Sequence, residues 1–387
     1  MKNRRLLRAV AVITAIFAML SVQAFACTAF QLRSQDGAVI YFRSMEFGLP
    51  LQSQVAIIPR HTQFTGTAPN GQAGLKWTAK YGVVGLNSYV SPSEVTDGMN
   101  EKGLVVGMLY LPGYAQFLPP DASKTDRTIG DWELPTFLLS TTATVEEARE
   151  ALLSEKAYVA QQILPALKQV QPVHFYITDK TGAVLIAEYL NGKLTLHDDP
   201  LGVLTNSPPF DWQTINLSNY VNLSSVNVPS MEISDVDIQN FSQGSGMLGI
   251  PGDYTPPSRF VRAALYSHWA IPGKTALETV NTGFHVLNTF DIFEGAIRSK
   301  ITGPAASAQG QAQPKAVTTE PTDVTEWVVA HDRTNLRTYV RTYTGLTIQM
   351  IDLRTIDFDR PGVRQILLDN SFSPPDITST AADLKGN

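Results

Sequence analysis

Residues 24–30 read AFACTAF, and the cysteine among them, Cys27, is the single cysteine of the 387-residue chain. With no second cysteine an intramolecular disulfide is impossible, so the thiol is spare, reactive or modified. A cysteine at a chain N-terminus offers compact amide chemistry. The thiol attacks a carbonyl carbon and its own α-amine takes the proton. An α-amine has a reference pKa of about 7.7–8.0, well below the lysine value of about 10.4. A useful fraction is therefore neutral near pH 7, as a general base requires. A thiol starts near about 8.5 and becomes more acidic beside a cation. No histidine is needed. The bland reading is a small buried hydrophobe, the usual fate of a lone cysteine.

The residues before Cys27 decide whether it becomes a terminus. MKNRRLLR carries Lys2, Arg4, Arg5 and Arg8, and the apolar run AVAVITAIFAML follows. That run has 12 residues, too few to span a bilayer as a helix, which takes roughly 20. Ala24 and Ala26 stand at −3 and −1 of an A-x-A site. The first 26 residues thus read as a secretory signal whose removal exposes the Cys27 amine. The rival is a lipoprotein signal, which also ends before a cysteine and would make the chain a lipid-anchored, non-catalytic binding protein. Phe25 argues against it, because such sites place small residues there.

Other chemistries find less support. The six histidines (61, 174, 197, 268, 285 and 331) form no metal-binding motif, and no metal or cofactor is expected. His174 alternates within a strand and reads as a core or hairpin residue. GSGMLG (244–249) fits G-x-G-x-x-G but runs into IPGDYTPP rather than a helix, so it reads as a tight glycine loop. There is no G-x-S-x-G, which argues against an α/β-type serine hydrolase. The leader holds four of the 30 basic residues and none of the 35 acidic ones. The remaining 361 residues therefore carry 26 against 35, a net charge of −9, unsuited to a nucleic-acid partner. No later stretch has 18 consecutive apolar residues, so no membrane span is expected.

The elements that must hold these groups are mostly strands. TAFQLR, the Asp36–Gly37 turn and AVIYFRSM predict a β-hairpin. SQVAIIP, KYGVVGL and GLVVGML predict further strands. VHFYITD, a Lys-Thr-Gly turn and AVLIAEY (173–189) predict a second hairpin. TEWVVAH, LRTYVRTY and LTIQMIDL predict C-terminal strands. Thr144 and Glu147 form a capping box opening the helix VEEAREALLSE. Residues 258–271 and 277–290 read as helices, and 302–323 as a low-complexity Ala/Gln/Pro loop. Strands and helices fall in separate blocks, which points to an α+β layered fold rather than βαβ units.

CTAF, FRSMEFG, DGMNEKGL, GVLTNSPPFDW and GMLGIPGDYTPPSRFVRAA, in that order, resemble the choloylglycine hydrolase family of bile salt hydrolases and penicillin V acylases. The resemblance implies a single N-terminal nucleophile hydrolase domain over 27–387, a four-layer αββα sandwich of two antiparallel sheets flanked by helices. It implies that Cys27 is nucleophile and base, and that Arg43 holds the thiolate. Asn206 then matches the oxyanion-hole asparagine, Arg259 the second arginine near the nucleophile, and Glu46 the carboxylate that holds the α-amine. Two departures stand out. The family usually has aspartate where this chain has Glu46. Tyr110 stands where bile salt hydrolases have asparagine, and the penicillin acylases resemble this chain there. Tyr110 would supply a backbone oxyanion donor and, with Phe47 and Tyr89, an aromatic acyl pocket. The expected protein is an exported hydrolase of linear N-acyl amides, penicillin V acylase-like and homotetrameric. Conjugated bile salts and acyl-homoserine lactones are the alternative substrates.

Overall fold

The computed structural model describes residues 26–48, 50–88, 91–164, 168–298 and 322–380. Residues 1–25 of the expected signal segment, Tyr89 of the expected acyl pocket and residues 302–321 of the low-complexity loop lie outside the described residues.

Two large antiparallel sheets face one another. Their strands are β1 (Cys27–Arg33), β2 (Val39–Phe47), β3 (Val55–Ile58), β4 (Val83–Ser88), β5 (Ser91–Asn100), β6 (Val105–Tyr110), β7 (Val173–Thr178), β8 (Val184–Leu190), β9 (Lys193–Asp198), β10 (Ile297–Arg298), β11 (Thr322–Asp332), β12 (Arg337–Thr342), β13 (Gln349–Asp352) and β14 (Arg364–Ile366). The first sheet runs β1-β2-β11-β12-β13, with β10 on the end of β11. The second runs β9-β8-β7-β6-β5-β4-β3-β14. The helices are α1 (Leu134–Thr141), α2 (Val145–Leu153), α3 (Phe210–Asn216), α4 (Pro256–Trp269) and α5 (Ala276–Asn288). α4 and α5 pack on β1, β2 and β11, while α1 and α2 pack on β5 to β8. The layers are therefore helix, sheet, sheet, helix: the α+β layering that the separate strand and helix blocks predict, in the four-layer order that the family resemblance implies.

A strand covered on both faces has no solvent side, so its sequence is an apolar run and not an alternation. β2, VIYFRSMEF, and β7, VHFYIT, are buried at every position. The polar residues inside such runs (Arg43, Glu46, His174) must find partners in the protein, because burial without them is costly. The predicted turns form as read. Gly37 and Gly182 take positive φ of 87° and 88° at the two hairpin turns, a conformation that favours glycine. Thr144 caps α2 by accepting from the Glu147 N–H, and Glu147 reaches back to the Ala143 N–H.

LTIQMIDL forms a strand only over Gln349–Asp352. Leu346 and Ile348 ahead of it are exposed, so their β-propensity meets no buried face. Helix α1 escapes a sequence reading for the opposite reason. Seven of its eight residues are buried, which erases the helical period. The GSGMLG segment is a tight turn as expected. Gly244 has φ 84°, and a Cβ on Gly246 would overlap the Val226 carbonyl oxygen.

Candidate active site

Cys27 begins β1, an edge strand, and pairs across to Met45 of β2. It is buried, 3% exposed. Its Sγ lies 3.6 Å from an Arg43 Nη and 3.8 Å from Met45 Sδ. Arg43 is two residues along β2 on the same face, opposite Ala29, and spans the gap between the sheets. One Nη donates to Asp97 Oδ2 and to the Thr96 carbonyl, both at 3.0 Å. The other donates to the Met108 carbonyl as well as facing the thiol. The guanidinium lies over the Trp327 ring at 5.4 Å. Burial works against its charge, and Cys27 and Asp97 more than restore it, so it sits above its ordinary value. The group beside the sulfur is a permanent cation.

Asp97 completes that cation's setting. It is fully buried on β5 and accepts from Arg43, from the Tyr41 hydroxyl at 2.8 Å, and faces His331 Nε2 at 2.8 Å. His331 Nδ1 meets Thr338 Oγ1 at 2.8 Å. A Cβ on Gly107 would overlap the Tyr41 hydroxyl and lie 2.7 Å from Asp97 Oδ2, so this glycine makes room for the cluster. Sequence reasoning gave Asp97, His331 and Tyr41 no role. Their signal was there: Asp97 opens DGMNEKGL, and His331 ends an otherwise apolar run.

The open edge of β1 positions Asn206. Ala29 and Leu204 exchange both backbone hydrogen bonds, at 2.7 and 3.0 Å, which docks the segment ahead of Asn206 on the edge strand. Asn206 Oδ1 accepts from the Cys27 N–H at 2.8 Å and from Arg259 Nη at 2.6 Å, and its Nδ2 donates to the Tyr110 carbonyl at 2.8 Å. Two donors on one side and an acceptor on the other fix the amide's orientation. One Nδ2 hydrogen is taken by Tyr110, and the second has no partner among the described residues. Leu111 N donates to Pro172 O, so Tyr110 sits at a non-hydrogen-bonded position of the β6–β7 ladder. Its N–H therefore points to the same side as its carbonyl, towards Asn206. The Tyr110 ring meets the Phe47 ring edge-on at 6.5 Å.

Arg259, in the first turn of α4, is fully buried. It donates to the Tyr254 carbonyl at 2.9 Å, the Cys27 carbonyl, Thr28 Oγ1 at 2.8 Å and Asn206 Oδ1. Burial lowers its pKa from the ordinary value, with Glu46 and Cys27 opposing. Glu46 lies on the helix side of β2, opposite Thr325, whose hydroxyl is 3.4 Å from Oε1. Its Oε2 is buried without a hydrogen-bond partner. Burial pushes its carboxyl up to about 8, against the pull of Arg259. Its backbone N–H donates to the Ala26 carbonyl at 2.9 Å. In this uncut chain the Cys27 nitrogen is an amide whose one N–H goes to Asn206.

The fold thus gathers Cys27, Arg43, Asn206, Arg259 and Tyr110 into one bonded cluster, with Glu46 beside Arg259 and Phe47 against Tyr110. Among the described residues, no group of three or more His, Cys, Asp or Glu side chains is arranged to hold a metal ion, and no helix is long and apolar enough to cross a membrane. Compared with known proteins, residues 27–304 match the choloylglycine hydrolase family of linear amide C–N hydrolases. The chain belongs to that family. Among characterised members, it is 32% identical to a bile salt hydrolase/transferase of Clostridium perfringens over 278 residues, 70% of this chain and 81% of that one. It is 27% identical to a penicillin V acylase of Pectobacterium atrosepticum over 333 residues, 84% of this chain and 80% of the other. A solved conjugated bile acid hydrolase from Clostridium perfringens superposes with a TM-score of 0.77 at 27% identity, covering 91% of this chain and all of the other. The penicillin V acylase of Agrobacterium tumefaciens shares the fold, with a TM-score of 0.66 at 24% identity over 88% and 90% of the two chains. This choloylglycine hydrolase relative therefore has the αββα sandwich of N-terminal nucleophile hydrolases and is a linear amide hydrolase.

Proposed function

We propose that the chain is exported, is cut between Ala26 and Cys27, and then hydrolyses N-acyl amides through Cys27 as a single domain. One observation carries this reading. Both chemical ends of Cys27 are engaged in the same buried site, its nitrogen by Asn206 and its sulfur by Arg43. The family match also starts at Cys27.

In the cut chain the Cys27 α-amine takes the thiol proton as Sγ bonds to the substrate's carbonyl carbon. The carbonyl oxygen becomes an oxyanion, held by the second Nδ2 hydrogen of Asn206 and by the Tyr110 N–H. Arg43 stabilises the thiolate, and Arg259 holds the Asn206 amide. The C–N bond then breaks. The leaving amine takes the proton back from the α-ammonium, and a thioester remains. Water attacks the thioester, giving its proton to the same amine, and the acid leaves as the thiol is restored. Glu46 supplies the negative charge that steadies the ammonium.

The substrate's acyl part is apolar or aromatic, and a phenoxyacetyl amide such as penicillin V is the first choice. The Phe47–Tyr110 ring pair beside Asn206 supports it. Conjugated bile acids are the second reading, favoured by the similarity to bile salt hydrolases. Turnover of penicillin V against glycocholate by one preparation separates the two. Cys27→Ser is expected to lose most activity, and full turnover by it, or by a chain whose mass includes the leader, refutes the mechanism. Assembly into a homotetramer is supported by a projecting hairpin, Met231–Ile233 and Val236–Ile238, whose Met231, Ile233, Val236 and Ile238 are all exposed. Sedimentation equilibrium reads the copy number, and a monomer at micromolar concentration sinks that part.

A further inference from the structure

His174 lies on β7, fully buried, and touches none of the reacting groups. Its Nδ1 is 2.9 Å from Glu188 Oε1 and its Nε2 is 3.0 Å from the Thr205 carbonyl oxygen. The Thr205 carbonyl can only accept, so Nε2 donates to it, and Nδ1 is hydrogen-bonded to the Glu188 carboxyl. Glu188, on β8, is fully buried. It also accepts from the Phe210 N–H, 3.1 Å from Oε1 and 3.3 Å from Oε2. Burial alone would raise its carboxyl, and the hydrogen bond to His174, with His197 nearby, brings it down to about 2. His197 Nε2 stands 3.6 Å from Oε2, beyond a hydrogen bond, and is itself buried without a partner.

One buried histidine–glutamate pair therefore holds both ends of the segment 205–210. It grips Thr205 through the His174 ring and Phe210 directly, and Asn206 follows Thr205. The segment is also held by the Asn206 side-chain bonds to Cys27, Arg259 and Tyr110, by Thr205 Oγ1 to the Pro256 carbonyl at 3.1 Å, by Ser207 Oγ to the Pro112 carbonyl at 2.6 Å, and by Gln213 Nε2 to the Asn206 and Pro208 carbonyls at 3.2 and 3.3 Å. A carbonyl in an apolar layer needs one donor, which a neutral side chain supplies. Burying a histidine and a glutamate there carries a desolvation cost that packing alone does not require. We infer that His174 and Glu188 are positioning residues for the reaction: they fix the Thr205 carbonyl, and so the Asn206 amide, at the place where the substrate's oxyanion forms. The inference rests on the proposed role of Cys27 and Asn206. Because the pair acts on the oxyanion donor and not on the thiol, its loss should lower turnover while leaving sulfur reactivity alone. A displacement of about 1 Å at such a donor is enough to cost on the order of a hundredfold in rate.

The test compares His174→Phe, His174→Gln and Glu188→Gln with wild type in the full, naturally processed chain. Penicillin V is the probe, or glycocholate where that is the faster substrate. Turnover is expressed per thiol reactive to iodoacetamide, alongside KM and the alkylation rate. His174→Phe removes both ring hydrogen bonds and is expected to lower kcat about a hundredfold, with KM within about threefold and alkylation within about twofold. His174→Gln keeps an N–H within reach of the Thr205 carbonyl and is expected to recover at least about tenfold of that loss. Undiminished kcat in His174→Phe overturns the inference, and so does a fall of kcat and alkylation rate together, which marks a collapsed site. If His174→Phe does not fold, Glu188→Gln decides, because it keeps the shape and an acceptor for Phe210: about a tenfold loss of kcat at constant KM supports the pair, and unchanged kcat refutes it. Full activity in Cys27→Ser refutes the underlying mechanism instead, whereas a strongly impaired Cys27→Ser with a fully active His174→Phe refutes this inference alone.

Discussion

Glutamine in place of Glu46 keeps the shape of a fully buried side chain and removes its charge. While the Ala26–Cys27 bond is intact, burial holds the Glu46 carboxyl at about 8, against an ordinary value of 4.5. Between those values the folded chain keeps a proton that the unfolded chain has released. The contribution to stability is complete below 4.5 and is lost as pH climbs through 8. At about 1.4 kcal/mol per pH unit, the ceiling is about 5 kcal/mol. Asp323 and Asp199, both held up near 6, tilt the pH profile in the same direction. The difference between wild type and variant therefore carries the test, not the slope itself. The assay is urea unfolding at pH 5, 6.5 and 8 of chains that start at Phe25 behind a retained initiator methionine, so that the Cys27 nitrogen stays an amide. The variant should match wild type at pH 5 and exceed it by about 2–4 kcal/mol at pH 8. In the cut chain the new ammonium gives Glu46 an opposite charge, and the same comparison should flatten. A difference that stays constant from pH 5 to 8 in the uncut chain would mean that Glu46 is not the strained carboxylate described above.

Two further predictions concern the groups behind Arg43. Asp97→Ala leaves Arg43, Tyr41 and His331 without their shared acceptor and should destabilise the fold by about 3–5 kcal/mol in urea titration. Asp97→Asn should cost clearly less, because its oxygen still faces Arg43 and Tyr41 and His331 can change tautomer to accept from the new amide; equal losses in the two variants would contradict this. Gly107→Ala forces a methyl against the Tyr41 hydroxyl and Asp97, and should cost about 1–3 kcal/mol together with a slower alkylation of Cys27. A neutral Gly107→Ala would mean that the cluster has slack.

Much of this protein was legible in its sequence because the relevant signals are local. The two hairpins are spelled by turn residues and flanking β-formers, and the helices α2, α4 and α5 by their own period and capping. A lone cysteine directly after an A-x-A triplet suggests a chemistry, since a cut there would put sulfur and amine on one residue. The family stretches then located Arg43, Glu46, Asn206 and Arg259. What the local signals do not contain is who meets whom. Arg259 bonds the Cys27 carbonyl across 232 positions, which only the packing of α4 on β1 arranges. Asp97 and His331 stand in different sheets, and a polar residue in an apolar run announces burial without naming its partner. His174 looked like one more core residue for that reason. Its meaning depends on Glu188 across a hairpin and on a carbonyl 31 positions away. Burial makes such partners obligatory, and the stacking of two sheets chooses them.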